Sequence, residues 1–235
     1  MPVQKRILTR LRGSRNLTVL SLEEFQKEYE TDVSPVTIRD RRFQFFVPKT
    51  IDPFLNPDDP LKQFPLWTKI WDASLILADE LASLSVRPGR AFVEIGCGLG
   101  LVGIVAASFG HEVTMTEYDP HALAFARANA LLNGLGELRV RPLDWNQPAL
   151  NETFDLIIGS EIIYHERDFD SIRGLFQRLS KPGGEIILCA EIRKTNMAFL
   201  SLLQNTYAIK ARRKTLRSEA KNISVMLCHL SSKLE

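Results

Sequence analysis

One stretch, AFVEIGCGLGLVG from Ala91 to Gly103, limits what this chain can fold into more than any other. It opens with a short apolar, β-prone run (Ala91, Phe92, Val93, Ile95) that carries Glu94 inside it. Gly96, Gly98 and Gly100 follow at alternate positions, where the backbone can turn sharply and approach a ligand that a Cβ would strike. Apolar residues then return at helical spacing (Leu99, Val102, Ala106), so the glycines join a strand to a helix N-terminus. Such a corner is a ready seat for a nucleotide-like ligand.

The rest of the chain alternates around it. Strands are expected at 91–95, 112–116, 138–142, 154–159 and 184–190, with helices near 99–109, 119–133, 168–180 and 194–205. Two last extended runs, about 207–213 and 223–230, have no helix between them and read as an antiparallel hairpin. Repeated βα units need right-handed crossovers that put helices on both faces of a parallel sheet. The fold class is therefore α/β, a doubly wound, mostly parallel sheet ending in that hairpin. Ahead of it, residues 1–40 read as one or two helices, including Leu20–Glu30, interrupted near Pro35. Residues 42–48 read as a strand. The prolines from Pro48 to Pro65 call for an irregular loop. From Trp71 the apolar positions Ala73, Leu77, Leu81 and Leu84 fit a helix stopped at Arg87-Pro88-Gly89.

Composition narrows the partners. The chain has 235 residues and a formal net charge of +2, which gives no global argument for nucleic acid or a membrane surface. No apolar run approaches the ~20 residues of a membrane helix. Cys97, Cys189 and Cys228 are too few and too scattered for a disulfide framework or a zinc site, and Cys189 and Cys228 read as buried thiols of a reducing compartment. Lys5, Arg6, Arg10, Arg12 and Arg15 precede the first acid, Glu23. They read as the exposed face of a basic helix and a cytoplasmic protein, with a mitochondrial transit segment as the alternative.

Two ligand classes use a glycine corner in such a sheet. GLGLVG from Gly98 satisfies the dinucleotide pattern G-x-G-x-x-G. About 90 residues precede this strand, however, and Gly96 already makes the turn, which displaces that frame. Glu94 inside the strand suits a cationic ligand better than a pyrophosphate.

At these residues the chain resembles the seven-stranded S-adenosylmethionine-dependent methyltransferases. VEIGCGLG matches their first motif. VTMTE ends in Glu117, where that class places a carboxylate on the ribose hydroxyls. LDW, Leu143 to Trp145, matches the acidic-plus-aromatic pair that holds adenine. LSKPGGEIIL, Leu179 to Leu188, matches the turn into the fifth strand, and the terminal hairpin matches strands six and seven. The resemblance runs from about residue 67 to the end. It implies S-adenosylmethionine as cofactor, with adenosylhomocysteine as product. It also implies a cofactor site of Trp71, Glu94, Gly96, Gly98, Gly100, Glu117, Asp144, Trp145 and Ser160. Simpler roles stand beside these: strand surface for Glu94, helix capping for the carboxylates near Asp119, a loop turn for Asp144 and core packing for Trp145.

The acceptor site is expected at the end of the fourth strand, in GSEIIYHE from Gly159 to Glu166. The Asn/Asp-Pro-Pro-Tyr/Phe signature of enzymes that methylate DNA or protein glutamine is absent there. Glu161-x-x-Tyr164, with Trp71-Asp72-Ala73 upstream, resembles the methyltransferase-like protein lysine methyltransferases and a related histidine-methylating branch. Glu161 and Tyr164 are the catalytic candidates. A free lysine has a pKa of about 10.4, so roughly one in a thousand is neutral near pH 7. A site that desolvates the amine lowers that value. Glu161 would orient the amine and accept its proton, and Tyr164 would form an aromatic wall with cation–π attraction. His165 reads as an exposed loop residue.

The expected activity is lysine methylation of a specific protein partner. Small-molecule, RNA and histidine methylation are the alternatives on the same fold, with a non-catalytic scaffold or an NAD-linked oxidoreductase further off. No metal, membrane or nucleic-acid partner is expected, and the chain is expected to be a monomer. Residues 1–66 form an extension expected to serve substrate recognition, and 67–235 the methyltransferase domain.

Overall fold

The computed structural model describes residues 21–59, 64–217 and 222–233. The basic stretch before Ser21, on which the localisation expectation rests, lies outside them. The chain opens with helix α1 (Leu22–Glu28), then strands β1 (Thr31–Ile38) and β2 (Arg41–Pro48), and helix α2 (Asp72–Ser83). The alternating part runs β3 (Ala91–Ile95), α3 (Leu101–Ser108), β4 (Glu112–Glu117), α4 (Pro120–Leu132), β5 (Arg139–Pro142), β6 (Phe154–Ser160), α5 (Phe169–Leu179) and β7 (Ser180–Glu191). Helix α6 (Lys194–Leu203) and strands β8 (Tyr207–Arg217) and β9 (Asn222–Ser232) complete it.

Seven strands form one sheet in the order β5-β4-β3-β6-β7-β9-β8. β3, β4, β5, β6 and β7 are parallel, and β9 is antiparallel to both of its neighbours. The central strands are apolar on both faces, as a sheet covered by helices on each side requires. Phe92 and Leu156 point into the core under α2 and α3, while Val93 and Ile157 point into the core under α5 and α6. From α5 the side chains of Ile172, Leu175, Phe176 and Leu179 are fully or almost fully buried. Each contributes about 1.5–3 kcal/mol of burial.

The chain leaves β3 toward β4 and β5, then crosses back to β6 and β7 on the other side. At that reversal the strand ends diverge and a crevice opens outside the carboxyl ends of β3 and β6. Between β6 and β7 the register shifts from Phe154↔Ser180 to Leu156↔Glu185. Lys181-Pro182-Gly183-Gly184 is thereby looped out, with Gly183 at φ +71°, as the turn reading requires.

The helical reading of residues 31–40 is corrected by the structure: Thr31–Ile38 is a strand, paired with β2. Its β-branched residues favour the extended form. Pro35 sits in an edge strand of a two-stranded sheet, where a missing N–H breaks no ladder on the open side. α1 and this hairpin pack against α4: the Phe25 ring stands edge-on to Phe125 at 4.9 Å, and Phe46 lies 5.4 Å from Phe25.

Candidate active site

The glycine loop turns left-handed three times, at φ +65° for Gly96, +52° for Gly98 and +84° for Gly100. A Cβ on Gly96 would lie 3.2 Å from Ile162 and 3.3 Å from the Trp145 ring. Gly100 does not face the crevice. It turns the chain into α3, packed toward Ile104, Met115 and Ala126. The loop is braced by Glu117 at the tip of β4. One carboxylate oxygen accepts the Gly98 N–H at 2.9 Å, and the other accepts those of Tyr118 at 2.7 Å and Asp119 at 3.2 Å. Burial pushes the Glu117 carboxyl up, and these three N–H groups oppose the shift. Helix capping falls to Asp119 instead, which accepts the N–H groups of His121 and Ala122.

Glu94 is only 2% exposed. Its Oε2 accepts the Gly103 N–H at 2.9 Å. Burial pushes its carboxyl up to about 8, with the nearby Glu117 adding to the shift. A carboxylate left this deep with one protein donor is costly unless a cation joins it. The crevice over these residues is an open cleft of about 1190 Å³. Its described lining residues include seven acids, Asp59, Glu94, Glu117, Asp119, Asp144, Glu161 and Asp168, against two bases, Lys69 and Arg167. A weakly basic chain thus concentrates carboxyl groups in this cleft, of which burial favours the protonated form of Glu94.

The remaining expected cofactor residues line the same cleft. Asp144 accepts the Asn146 N–H at 2.8 Å, which is the loop-turn role. Trp145 borders the cleft and packs on the core around Leu143 and Ile162. Trp71 donates its indole N–H to the Leu66 carbonyl at 2.8 Å and carries the Lys69 ammonium 3.7 Å above its ring. Ser160 Oγ meets Ser74 Oγ of α2 at 3.3 Å.

The structure adds Trp67, which sequence reading passed over. It lies against Gly98 and Phe54, and its buried indole N–H has no hydrogen-bond partner among the described groups. Its only sequence signal is the spacing of four residues to Trp71.

Glu161 follows β6 in a left-handed conformation, φ +50°, and is 5% exposed. β7 holds it: its N–H donates to the Cys189 carbonyl at 2.9 Å, and its Oε1 accepts the Glu191 N–H at 2.6 Å. Oε2 has no hydrogen-bond partner among the described groups, although Arg193 Nη2 stands 3.3 Å away. Burial pushes the carboxyl up, while the Glu191 N–H and the Arg193 charge oppose that. Tyr164 is half-buried on the cleft wall, its hydroxyl pushed up by burial and by the Glu161 charge. The Arg193 guanidinium lies 6.0 Å from its ring centre. His165 is exposed at the rim. Arg193 is the second residue missed from sequence, because nothing local distinguishes it from other loop arginines. No group of His, Cys, Asp and Glu among the described residues is placed to hold a metal ion. No helix among them is long and apolar enough to cross a membrane.

Comparison with known proteins bears on this geometry. The profile of the family described as lysine methyltransferase matches residues 63–206. The protein N-lysine methyltransferase METTL21A of Xenopus tropicalis is 35% identical over 156 residues, covering 63% of this chain and 72% of that protein. The EEF1A lysine methyltransferase 3 of Mus musculus is 36% identical over 130 residues, covering 53% and 56%. The human histone-arginine methyltransferase METTL23 is 33% identical over 143 residues, covering 57% and 75%. Among solved structures, the N-methyltransferase NodS of Bradyrhizobium japonicum in complex with S-adenosylhomocysteine superposes with a TM-score of 0.56. It is 17% identical, covering 78% of this chain and 96% of that one, which makes it a likeness of fold.

Proposed function

Because this chain belongs to the lysine methyltransferase family, we propose that it methylates a lysine side chain of a specific protein partner, with S-adenosylmethionine as the methyl donor. The observation that carries the acceptor is Glu161, a buried carboxylate that lines the cleft and whose Oε2 has no hydrogen-bond partner among the described groups. An ammonium supplies what that atom lacks.

The cleft fits the cofactor by the chemistry of its donor set. Gly96 and Gly98, left-handed and lining the cleft, leave the backbone bare for a nucleoside. Glu117, already fixed by three N–H groups, offers acceptor capacity to vicinal hydroxyls. Trp145 and Asp144 would take the base, Trp71 and Ser160 would close the pocket, and buried Glu94 favours a cation. When bound, the cofactor supplies an activated methyl group on a sulfonium.

The chain's own work is then positional. Glu161 accepts a hydrogen bond from the target amine, directs its lone pair and takes its proton, directly or through water. Tyr164 walls the amine and excludes water. Desolvation there favours the neutral amine, the form with a lone pair to donate. Residues 1–66 and the loops after β6 and β7 form the recognition surface in this reading. The likeness to METTL23 makes arginine the second acceptor to examine.

The test is methyl transfer from radiolabelled S-adenosylmethionine into a lysate of the source organism, with wild type and Glu161→Ala side by side. Protease-sensitive label that fades with the variant and maps to methyl-lysine by mass spectrometry supports the reading. Methyl-arginine moves the assignment to the second acceptor. Protease-resistant or small-molecule label overturns it.

A further inference from the structure

Glu161 is held almost entirely by one neighbouring strand and the loop that follows it. Cys189 and Glu191 of β7 take its backbone N–H and its Oε1, and Arg193, two residues further on, faces its Oε2. Arg193 is not hydrogen-bonded to that oxygen. Its Nε and Nη2 instead both donate to Glu191 Oε2, at 3.0 Å and 2.7 Å. The guanidinium is therefore clamped by a partly exposed carboxylate, and it presents its charge to a buried one without occupying its lone pair.

We propose that Arg193, clamped by Glu191, is a positioning residue that keeps Glu161 an anion while leaving Oε2 open to the incoming amine. The inference rests on the acceptor reading above and adds to it the residue that makes a buried carboxylate usable.

The arrangement answers a specific difficulty. A carboxylate 4% exposed on its side chain loses most of its hydration. Left alone it protonates rather than stay charged. A directly hydrogen-bonded arginine would cure that and block the substrate. An arginine held by a second carboxylate supplies the field alone. The charges around Glu161 are those of Arg193 and Glu191 from the β7 end and Asp72 from the start of α2, with Tyr164 in its own loop and the Cys189 thiol on β7. Arg193 is the cation among them. Glu191 and Asp72 both push Glu161 toward protonation, and Glu191 offsets this by its backbone N–H and its hold on Arg193.

The test uses full-length protein labelled with 13C-carboxyl glutamate, the Glu161 resonance being identified by its loss in Glu161→Gln. Its titration is followed in wild type, Arg193→Met and Arg193→Lys. The expected result is a midpoint at least one pH unit higher in Arg193→Met, a tenfold rise in proton affinity. Arg193→Lys should recover half of that shift or more. Equal midpoints in wild type and Arg193→Met overturn the proposal. So does an equal shift in both variants, which marks a structural role instead.

Adenosylhomocysteine titration of each variant, expected within twofold of wild type, shows that the fold is retained. In the lysate assay, Arg193→Met should lose label most strongly at low pH. Label that rises above wild type would make Arg193 a blocking cation and overturn the proposal. A wild type that yields no methyl-lysine defeats the acceptor reading by itself, and the titration still decides the role of Arg193.

Discussion

The side-chain amide of Asn129 grips the backbone of Phe46 at two points. The Phe46 N–H donates to Oδ1 at 2.6 Å, and Nδ2 donates back to the Phe46 carbonyl at 3.2 Å. The same Nδ2 donates to the Leu99 carbonyl at 3.0 Å. One fully buried residue of α4 therefore ties the N-terminal hairpin to the glycine loop. Asn129→Leu keeps the bulk and strands those three backbone groups. The expected cost is about 3 kcal/mol, read as a lower urea midpoint at unchanged m-value. Adenosylhomocysteine affinity should fall with it, since Leu99 lies between Gly98 and Gly100. A loss under about 0.5 kcal/mol would mean that the contact is not structural.

Gly103 and Gly174 should respond in opposite directions to alanine. A Cβ at Gly103 would stand 2.4 Å from Met115 Cγ and 2.6 Å from Glu94 Oε2, whereas one at Gly174, inside α5, meets nothing within 4 Å. Gly103→Ala should cost about 1–3 kcal/mol and weaken cofactor binding by displacing Glu94. Gly174→Ala should stabilise by about 0.5–1 kcal/mol. Thermal melts of the two variants decide, and matching shifts would refute the packing argument.

Glu94 makes stability depend on pH. Its folded carboxyl is raised to about 8, so the native state holds a proton that the unfolded chain releases near 4.5. The contribution is fully present below the unfolded value and is lost as pH rises toward 8, at up to about 1.4 kcal/mol per unit. Glu94→Gln should abolish that slope and raise the melting temperature at pH 8. A bound cation favours the ionised form, so wild-type affinity for S-adenosylmethionine should climb between pH 6 and 8, and that of Glu94→Gln should stay flat. Parallel pH profiles in the two proteins would remove Glu94 from this role.

Glu117→Gln tests the brace of the glycine loop. A carboxamide has one acceptor oxygen for the N–H groups of Gly98, Tyr118 and Asp119, which two oxygens now share. Adenosylhomocysteine affinity should drop at least about tenfold, near 1.4 kcal/mol, by calorimetry. Unchanged affinity would leave Glu117 a purely structural cap.

Much of this was legible along the chain because its physics is local. The run Phe92–Ile95 alternates between two cores, and the glycines that follow cannot continue a strand. Helices α3 and α4 stop just before the left-handed Gly110 and Gly134, and Asp119 caps α4 from the position just before its first turn. Each of those outcomes depends on neighbours a few residues apart, so order and spacing suffice. Residues 31–38 were misread for a related reason. Pro35 signals a break in a helix, but in an edge strand it is tolerated, and only the pairing with Arg41–Pro48 reveals the edge.

The parts of the cleft that bear most on chemistry depend instead on long-range registration. Glu161 and Arg193 are 32 positions apart, and they meet because Ser160 pairs with Cys189 across β6 and β7. Trp67 reaches Gly98 from the segment just before α2, and Asn129 of α4 reaches Phe46 of β2 across 83 residues. The sequence alone determined the alternation, the glycine corner and the carboxylates at its strand tips, because backbone preference and apolar periodicity act over a few residues. The tertiary structure alone decided which charges face one another and which lone pair stays open, because those follow from strand order and register, to which distant residues contribute jointly.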